Sequence, residues 1–229
     1  MKIFDLGLNI GAQKYKYKGE YFDKIVDKFK PQKTTNYTVE FIDDDMQIAD
    51  AVCYQQSKKL DLVVADLDKI ETRMQRSKDE KEKAVLSRFS QLLEKEVLLC
   101  DTEIKDGELE FLRTLPLVSL KPCLSRSEVS DLDALVGEVL DKAGIILFFT
   151  AGKKEVRAWS LKAGESILEA AGRIHSDLKR GFIKADVVNC KDLDNFFNMA
   201  EARSRGLAEV VDKDYIVKAN DIIEIRFNV

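Results

Sequence analysis

Residues 148–188 constrain the fold most. FFTAGKKEVRAWSLKAGESILEAAGRIHSDLKRGFIKADVV compresses strand, helix and strand into about 40 residues. Glu155 to Leu161 alternates, with Val156 and Ala158 on one side. Ser166-Ile167-Leu168-Glu169 has the form of a capping box, where a hydroxyl and a carboxylate three residues apart satisfy the first amides of a helix. The helix that follows buries Ile167, Ala170, Ala171, Ile174 and Leu178, and its small residues allow close approach to a sheet. Phe182 to Val188 forms the second strand. Beyond it, 192–206 reads as mainly helical. Asp214 to Val217 and Ile222 to Phe227 read as a closing hairpin around Lys218-Ala219-Asn220-Asp221. Two strands around one helix, then a terminal strand, is the order of a β-grasp (ubiquitin-like) fold.

The chain before this module has different periodicities. MKIFDLGLN predicts a strand, and AQKYKYKGEYF a second one with tyrosines and lysines on opposite faces. The same interleaving of Lys14, Lys16 and Lys18 with Tyr15 and Tyr17 suits stacking on single-stranded bases. Phe22, Ile25, Val26 and Phe29 lie on one helical face, and Pro31 stops that helix. Thr38 to Ile42 predicts a short strand running into Asp43, Asp44 and Asp45. These aspartates can hold magnesium or begin the next helix as solvated residues favoured by its dipole. The missing phosphate-binding partner favours the second reading. Spacing at Leu60, Val63, Val64, Leu67, Ile70 and Met74 predicts a long helix over 46–76, and Val85, Phe89, Leu92, Leu93 and Val97 a second over 81–99. A third, shorter helix is predicted over 107–114. With a polar tip at 76–83, the first two form a helical hairpin. Leu117 to Leu120 reads as a buried strand ending at Pro122, and 131–142 as a helix closed by Gly144.

Composition narrows the function classes. A net charge of -4 and a pI of about 5.3 give no global attraction to nucleic acid or membrane, so an RNA contact needs a local basic patch. Cys53, Cys100, Cys123 and Cys190 are far apart with no CxxC, and no leader peptide is recognisable, which predicts reduced thiols in a cytoplasmic protein. No run is long enough to cross a bilayer. His175 is the only histidine, so a multi-histidine metal site is excluded. It is expected to pack or hydrogen-bond, and Trp159 to bury against a neighbouring segment.

FFTAGKKEVRAW, AAGRIHSDLKRGFIKADV and DYIVKANDIIEIRFNV together closely resemble the C-terminal TGS domain of the Obg-like ATPases of YchF type, over about 147–229. Phe196 to Leu207 and the turn at 218–221 depart from the family's glycine-rich text. FDKIVDKFKPQKTTNYTVEFID, LVVADLDKIE and LVSLKP resemble upstream family segments more weakly. The resemblance implies an α+β chain with a truncated α/β G-domain remnant (1–45 and 115–146), an inserted antiparallel helical (coiled-coil) hairpin (46–114) and a TGS β-grasp domain (147–229).

The departures carry the functional expectation. No G-x-x-x-x-G-K-[ST] occurs in the sequence. Asp43-Asp44-Asp45-Met46 stands where the family has Asp-x-x-Gly, and Leu124-Ser125-Arg126-Ser127 where it has Asn-x-x-Glu. Loss of three parts of a nucleotide site predicts a protein that is not an enzyme and needs no cofactor or metal. The resemblance implies association with the ribosome or RNA through the TGS domain, at Lys153, Lys154, Arg157, Arg173, Lys179, Arg180 and Lys184 if these share a face. Ordinary surface charge, offset by Glu155, Glu165, Glu169 and Asp177, is the plain alternative. Residual ATP or GTP binding and a protein partner or homodimer are the other classes.

Overall fold

The computed structural model describes residues 1–228. Val229, the last residue of the matching terminal segment, lies outside the described residues. In chain order the elements are β1 (Lys2–Leu6), β2 (Gln13–Tyr17), α1 (Phe22–Phe29), β3 (Lys33–Thr35), β4 (Tyr37–Ile42), β5 (Ala51–Gln55), α2 (Lys59–Arg76), α3 (Glu80–Glu94), α4 (Asp106–Leu112), β6 (Cys123–Arg126), α5 (Leu132–Lys142), β7 (Ile145–Ala151), β8 (Glu155–Lys162), α6 (Ile167–Ile174), α7 (Ser176–Arg180), β9 (Phe182–Asn189), α8 (Met199–Ser204), β10 (Glu209–Val211) and β11 (Asp221–Phe227). They form two compact units. One holds Met1–Tyr15 with Val39–Ala143, the other Lys16–Thr38 with Gly144–Val229.

The first unit is built on a sheet of order β2-β4-β1-β5-β6, in which β4, β1, β5 and β6 run parallel. Its β5 lies where the periodicity predicts helix from Met46. Met46–Ile48 forms a 3-10 turn and no α-helix, and Ala51 to Tyr54 is a buried strand between β1 and β6. A strand covered on both faces has no alternation to betray it. The helix starts at Lys59, and its inward face is Leu62, Val63, Asp66 and Ile70. Leu60 and Val64 are 53% and 61% exposed. α2 and α3 share a core of Leu62, Val63, Ile70, Leu86, Phe89 and Leu93 with Phe4, Val52 and Tyr54 of the sheet.

Leu117 to Leu120 is not a strand. It is a turn-rich segment pinned by the buried Asp66, whose carboxylate accepts from Val118 N (2.9 Å), Ser119 N (2.7 Å) and Ser119 Oγ (2.7 Å). A carboxylate inside a core is tolerated when donors surround it. The strand of this region is β6, in register with β5.

The second unit has a six-stranded mixed sheet, β10-β9-β11-β7-β8-β3. β7 and β8 form a hairpin, and β11 lies between β9, to which it is antiparallel, and β7, to which it is parallel. α6 covers one face through Ile167 and Ala170 against Phe148, Leu161, Val187 and Ile223. The other face packs on α1 and on 190–202 through Phe22, Ile25, Phe29, Leu193, Phe196 and Met199. Burying each large apolar side chain of α1 contributes about 2 kcal/mol. Residues 16–38, grouped by sequence with the N-terminal part, belong to this unit because β3 pairs in parallel with β8. Two elements differ from the periodicity. The 166–178 helix breaks at His175, which is extended (φ -164°). Asp214 to Val217 forms no strand, only a bridge from Ile216 to Ser166, while Glu209–Val211 pairs with β9.

Candidate nucleic-acid interface

The basic residues singled out in the sequence fall into separate groups. Lys153 and Lys154 form the tip of the β7–β8 hairpin and are exposed. Their carbonyls accept from Gln32 N (3.0 Å) and Lys33 N (3.1 Å), which draws β3 against the hairpin. Pairing of β3 with β8 therefore adds Lys33, with Lys30 three residues earlier in the chain, to the same end of the sheet. Lys30 closes α1 in the left-handed region (φ 43°) just before Pro31. Sequence reading missed Lys30 and Lys33, because only strand pairing joins segments 120 residues apart. Among the described residues the ammonium groups of Lys30, Lys153 and Lys154 have no ion pair. Lys33 pairs with Glu155 at 3.1 Å. Thr35 Oγ1 also donates to Glu155, at 2.7 Å. This hydrogen bond, with Lys33 close by, holds the Glu155 carboxyl below the usual range against its partial burial.

Arg157 lies on the α6 face, its guanidinium 3.8 Å from the Trp159 ring centroid. Trp159 in turn stacks on Phe148 and donates from Nε1 to Thr150 Oγ1 at 3.0 Å. It is partly buried, as expected. Lys184 has the strand parity of Asp186 and Val188, on the opposite face, and pairs with Asp212 at 3.1 Å. Arg173, Lys179 and Arg180 gather at α6 and α7. The seven residues thus do not make one face. His175 is exposed, and its Nδ1 accepts from Asp177 N at 3.1 Å, capping α7.

In the first unit the sheet order reverses at β1, the position where open α/β sheets bind ligands at the carboxyl ends of their strands. The loop after β1 holds Gly7, Asn9 and Gly11 at positive φ (85°, 60° and 75°). The amides of Leu8, Ile10 and Gly11 all donate to Asp5, at 2.8, 2.6 and 3.2 Å. A carboxylate of the chain itself thus occupies this cluster of amides. Asp43, Asp44, Glu40 and Lys14 line an open concavity of about 330 Å³ beside β4. Asp45 accepts from Gln47 N at 2.7 Å and caps the 3-10 turn. No metal-holding group of three or more His, Cys, Asp or Glu occurs among the described residues. None of their helices is long and apolar enough to cross a membrane.

With the two mixed sheets described, the fold is that of the YchF GTPase class. The solved structure of the Schizosaccharomyces pombe YchF GTPase superposes with a TM-score of 0.78 over 96% of this chain and 88% of that chain, at 15% sequence identity. Residues 145–228 match the family model YchF-GTPase_C, whose description reads "Protein of unknown function (DUF933)". The chain is 44% identical over 100 residues to the "Ribosome-binding ATPase YchF" of Bacillus subtilis (strain 168), covering 44% of this chain and 27% of that protein. It is 33% identical over 150 residues to the protein of the same name from Pasteurella multocida (strain Pm70), covering 66% of this chain and 38% of that protein. These matches show that the chain is related to the YchF-type family, while spanning about a quarter to two fifths of the length of these curated relatives.

The relatives overturn one expectation. Absent motifs predict a chain that is not an enzyme, yet the curated relatives are named ATPases and the superposed structure is a GTPase. The relationship is to an enzyme family.

Proposed function

We propose that this chain is a cytoplasmic ribosome-binding protein of the YchF type, and that its C-terminal unit, read as a TGS-type β-grasp, meets ribosomal RNA with the hairpin tip at Lys153 and Lys154 together with Lys30 and Lys33. The observation that carries this is the pair of backbone bonds from Gln32 and Lys33 to Lys153 and Lys154, which concentrates positive charge on a chain of net charge -4. The name of the relatives, ribosome-binding ATPase, supplies the ribosome. Local cations of this kind act on phosphates, and their contribution falls as salt rises. Arg157, on its tryptophan platform, is a further cation of this hairpin.

Co-sedimentation with ribosomes at several salt concentrations tests it. The K33E/K153E/K154E variant is expected to lose binding at 0.1 M salt and to show a shallower salt dependence, by about 0.7 per lost single-strand phosphate contact. Unchanged binding and slope in a folded variant would remove the hairpin tip from the interface.

A second reading has its own observation, the reversal of strand order at β1. In it, the first unit serves nucleoside triphosphate chemistry at the carboxyl ends of β1, β4 and β5. The phosphate contacts then involve Lys58, whose Cγ stands 3.2 Å from where a Gly7 Cβ would be, because Asp5 holds the loop amides. Calorimetric titration with ATP and GTP, with phosphate release measured in parallel, tests it. Neither heat nor turnover at millimolar nucleotide would exclude it for this chain.

A further inference from the structure

The α6–α7 corner carries a second basic feature that strand pairing does not explain. The break at His175 turns α7 back along α6 and leaves an open concavity of about 450 Å³, lined by Glu169, Gly172, Arg173, Ser176, Lys179 and Arg180. Three cations face one carboxylate there. Gly172 makes the close approach possible, since a Cβ at that position would lie 2.9 Å from Lys179 Cδ. Lys179 crosses the helix to bind both Glu169 oxygens, at 2.7 and 2.9 Å. Arg180 is steadied by Asp177 at 3.0 Å from outside the lining. Arg173 has no hydrogen bond or ion pair among the described residues, so its five N–H donors are unengaged by the protein. The Ser176 hydroxyl adds a neutral donor.

We propose that this concavity binds a phosphate group. A planar guanidinium matches two phosphate oxygens at once, and a lysine adds a point charge to a third. A carboxylate ligand would satisfy the Arg173 fork but has no third oxygen to offer Lys179, whereas a phosphate does. In this arrangement Arg173 is the principal ligand. Lys179 positions the anion while shared with Glu169, and Arg180 closes the rim. The phosphate is either an internal phosphodiester of RNA or the terminal phosphate of a small phosphorylated molecule. The site stands on its own residues and does not require the hairpin tip to bind ribosomes.

Amide NMR titration of the full chain at fixed ionic strength tests the proposal with three probes: inorganic phosphate, adenosine 5′-monophosphate, and a short RNA lacking terminal phosphates. Saturable shifts are expected at Gly172, Arg173, Ser176 and Lys179. The R173A variant should weaken them about tenfold or more, the loss expected for hydrogen bonds between charged groups. Preference for the RNA assigns the site to a nucleic-acid backbone, and preference for the monophosphates to a small ligand. Because Arg173 is a surface residue, R173A should fold. G172A, which displaces Lys179 and leaves Arg173 in place, should weaken binding less. Shifts that fail to saturate with every probe, or that R173A leaves unchanged, overturn the site. Ribosome binding retained by R173A separates this outcome from the fate of the hairpin-tip reading.

Discussion

Asp186 of β9 and Arg226 of β11, diagonal neighbours in the register, form a two-pronged ion pair, Nε to Oδ2 at 2.7 Å and Nη2 to Oδ1 at 2.6 Å. Arg203 of α8 joins the same carboxylate at 3.0 Å and reaches Glu224 at 2.8 Å. The Asp186 side chain is fully buried, while both guanidiniums keep partial access to water. One buried carboxylate thus fixes α8 and the last strand to β9. Removing it leaves Arg226 without its partner and Arg203 with Glu224 alone. D186A is expected to destabilise the protein by about 3 kcal/mol, the low end for a broken buried pair because the arginines remain solvated. Urea denaturation monitored by circular dichroism checks this, and a loss below about 1 kcal/mol would deny the network its role.

The same carboxylate gives a pH dependence. Burial pushes the Asp186 carboxyl up, but the hydrogen bonds and charges of Arg226 and Arg203 outweigh it and hold the group below the usual carboxylate range. A group depressed in the folded state contributes stability that is fully present above its unfolded value of about 3.9 and is lost as pH falls through the folded value. Wild type should therefore lose stability more steeply than D186N below about pH 4. Parallel acid limbs for the two proteins would contradict the assignment.

How much of this was legible in the sequence differs between the two units. Val156 and Ala158 gave the β8 strand, and Ile167 and Ala170 the helix of the C-terminal unit, because β8 alternates in character and the helix has a clear period, whereas the pairing of β7 with β8 was not read. Ala51 to Tyr54 was not legible, since a parallel strand covered on both sides has no alternation. Asp66 was unreadable for a different cause. A charged residue in a helix registers as solvent-facing, yet this one points inward to satisfy two amides and a hydroxyl of 118–119. For the candidate interface, Lys153 and Lys154 were visible as a basic pair, whereas Lys30 and Lys33 became part of it only through the β3–β8 register. Gly172 was read as a small residue for sheet packing, and its proximity to Lys179 depends on the chain reversal at His175.

Asp66 supplies the third prediction. Its carboxylate satisfies two amides and one hydroxyl of 118–119, and Lys69 bridges it (3.3 Å) to the Pro116 carbonyl (2.6 Å). D66A would leave buried donors unpaired, at about 1–3 kcal/mol for each uncompensated group. A total loss of about 3 kcal/mol or more is expected by chemical denaturation, with faster amide hydrogen exchange at Val118 and Ser119. If exchange at those two amides is unaltered, the carboxylate is not what orders the segment.

The four cysteines are free and should differ in reactivity. Burial, reinforced by Asp5, pushes the Cys53 thiol up to about 12. Burial, reinforced by Asp221, does the same to Cys190, also to about 12. Cys123 is raised by its hydrogen bond to Cys100 and by burial, whereas that bond lowers Cys100 against its own partial burial. The thiolate is the reactive form, and Cys100 alone of the four is not fully buried. Alkylation of the native protein at pH 8, followed by peptide mass spectrometry, should therefore modify Cys100 first. Equal rates at Cys53 or Cys190 would mean that the segments burying them open readily.

Glu155 provides a test whose sign separates interface from scaffold. Its carboxylate neutralises Lys33 and holds Thr35, so it restrains the charge of the hairpin tip while fastening β3 to β8. E155Q removes the charge and keeps an oxygen for the Thr35 hydroxyl. If the tip meets RNA phosphates, freeing Lys33 should strengthen ribosome binding at 0.1 M salt by about 1.5- to 5-fold, the range of an exposed ion pair of 0.2–1 kcal/mol, and steepen the salt dependence. E155A also removes the hydrogen bond, and should show a smaller gain or a loss because β3 is less firmly held. Co-sedimentation of the two variants beside wild type distinguishes the cases. Weakened binding in E155Q with β3 still protected from hydrogen exchange would show that Glu155 itself, and not the lysines around it, faces the partner.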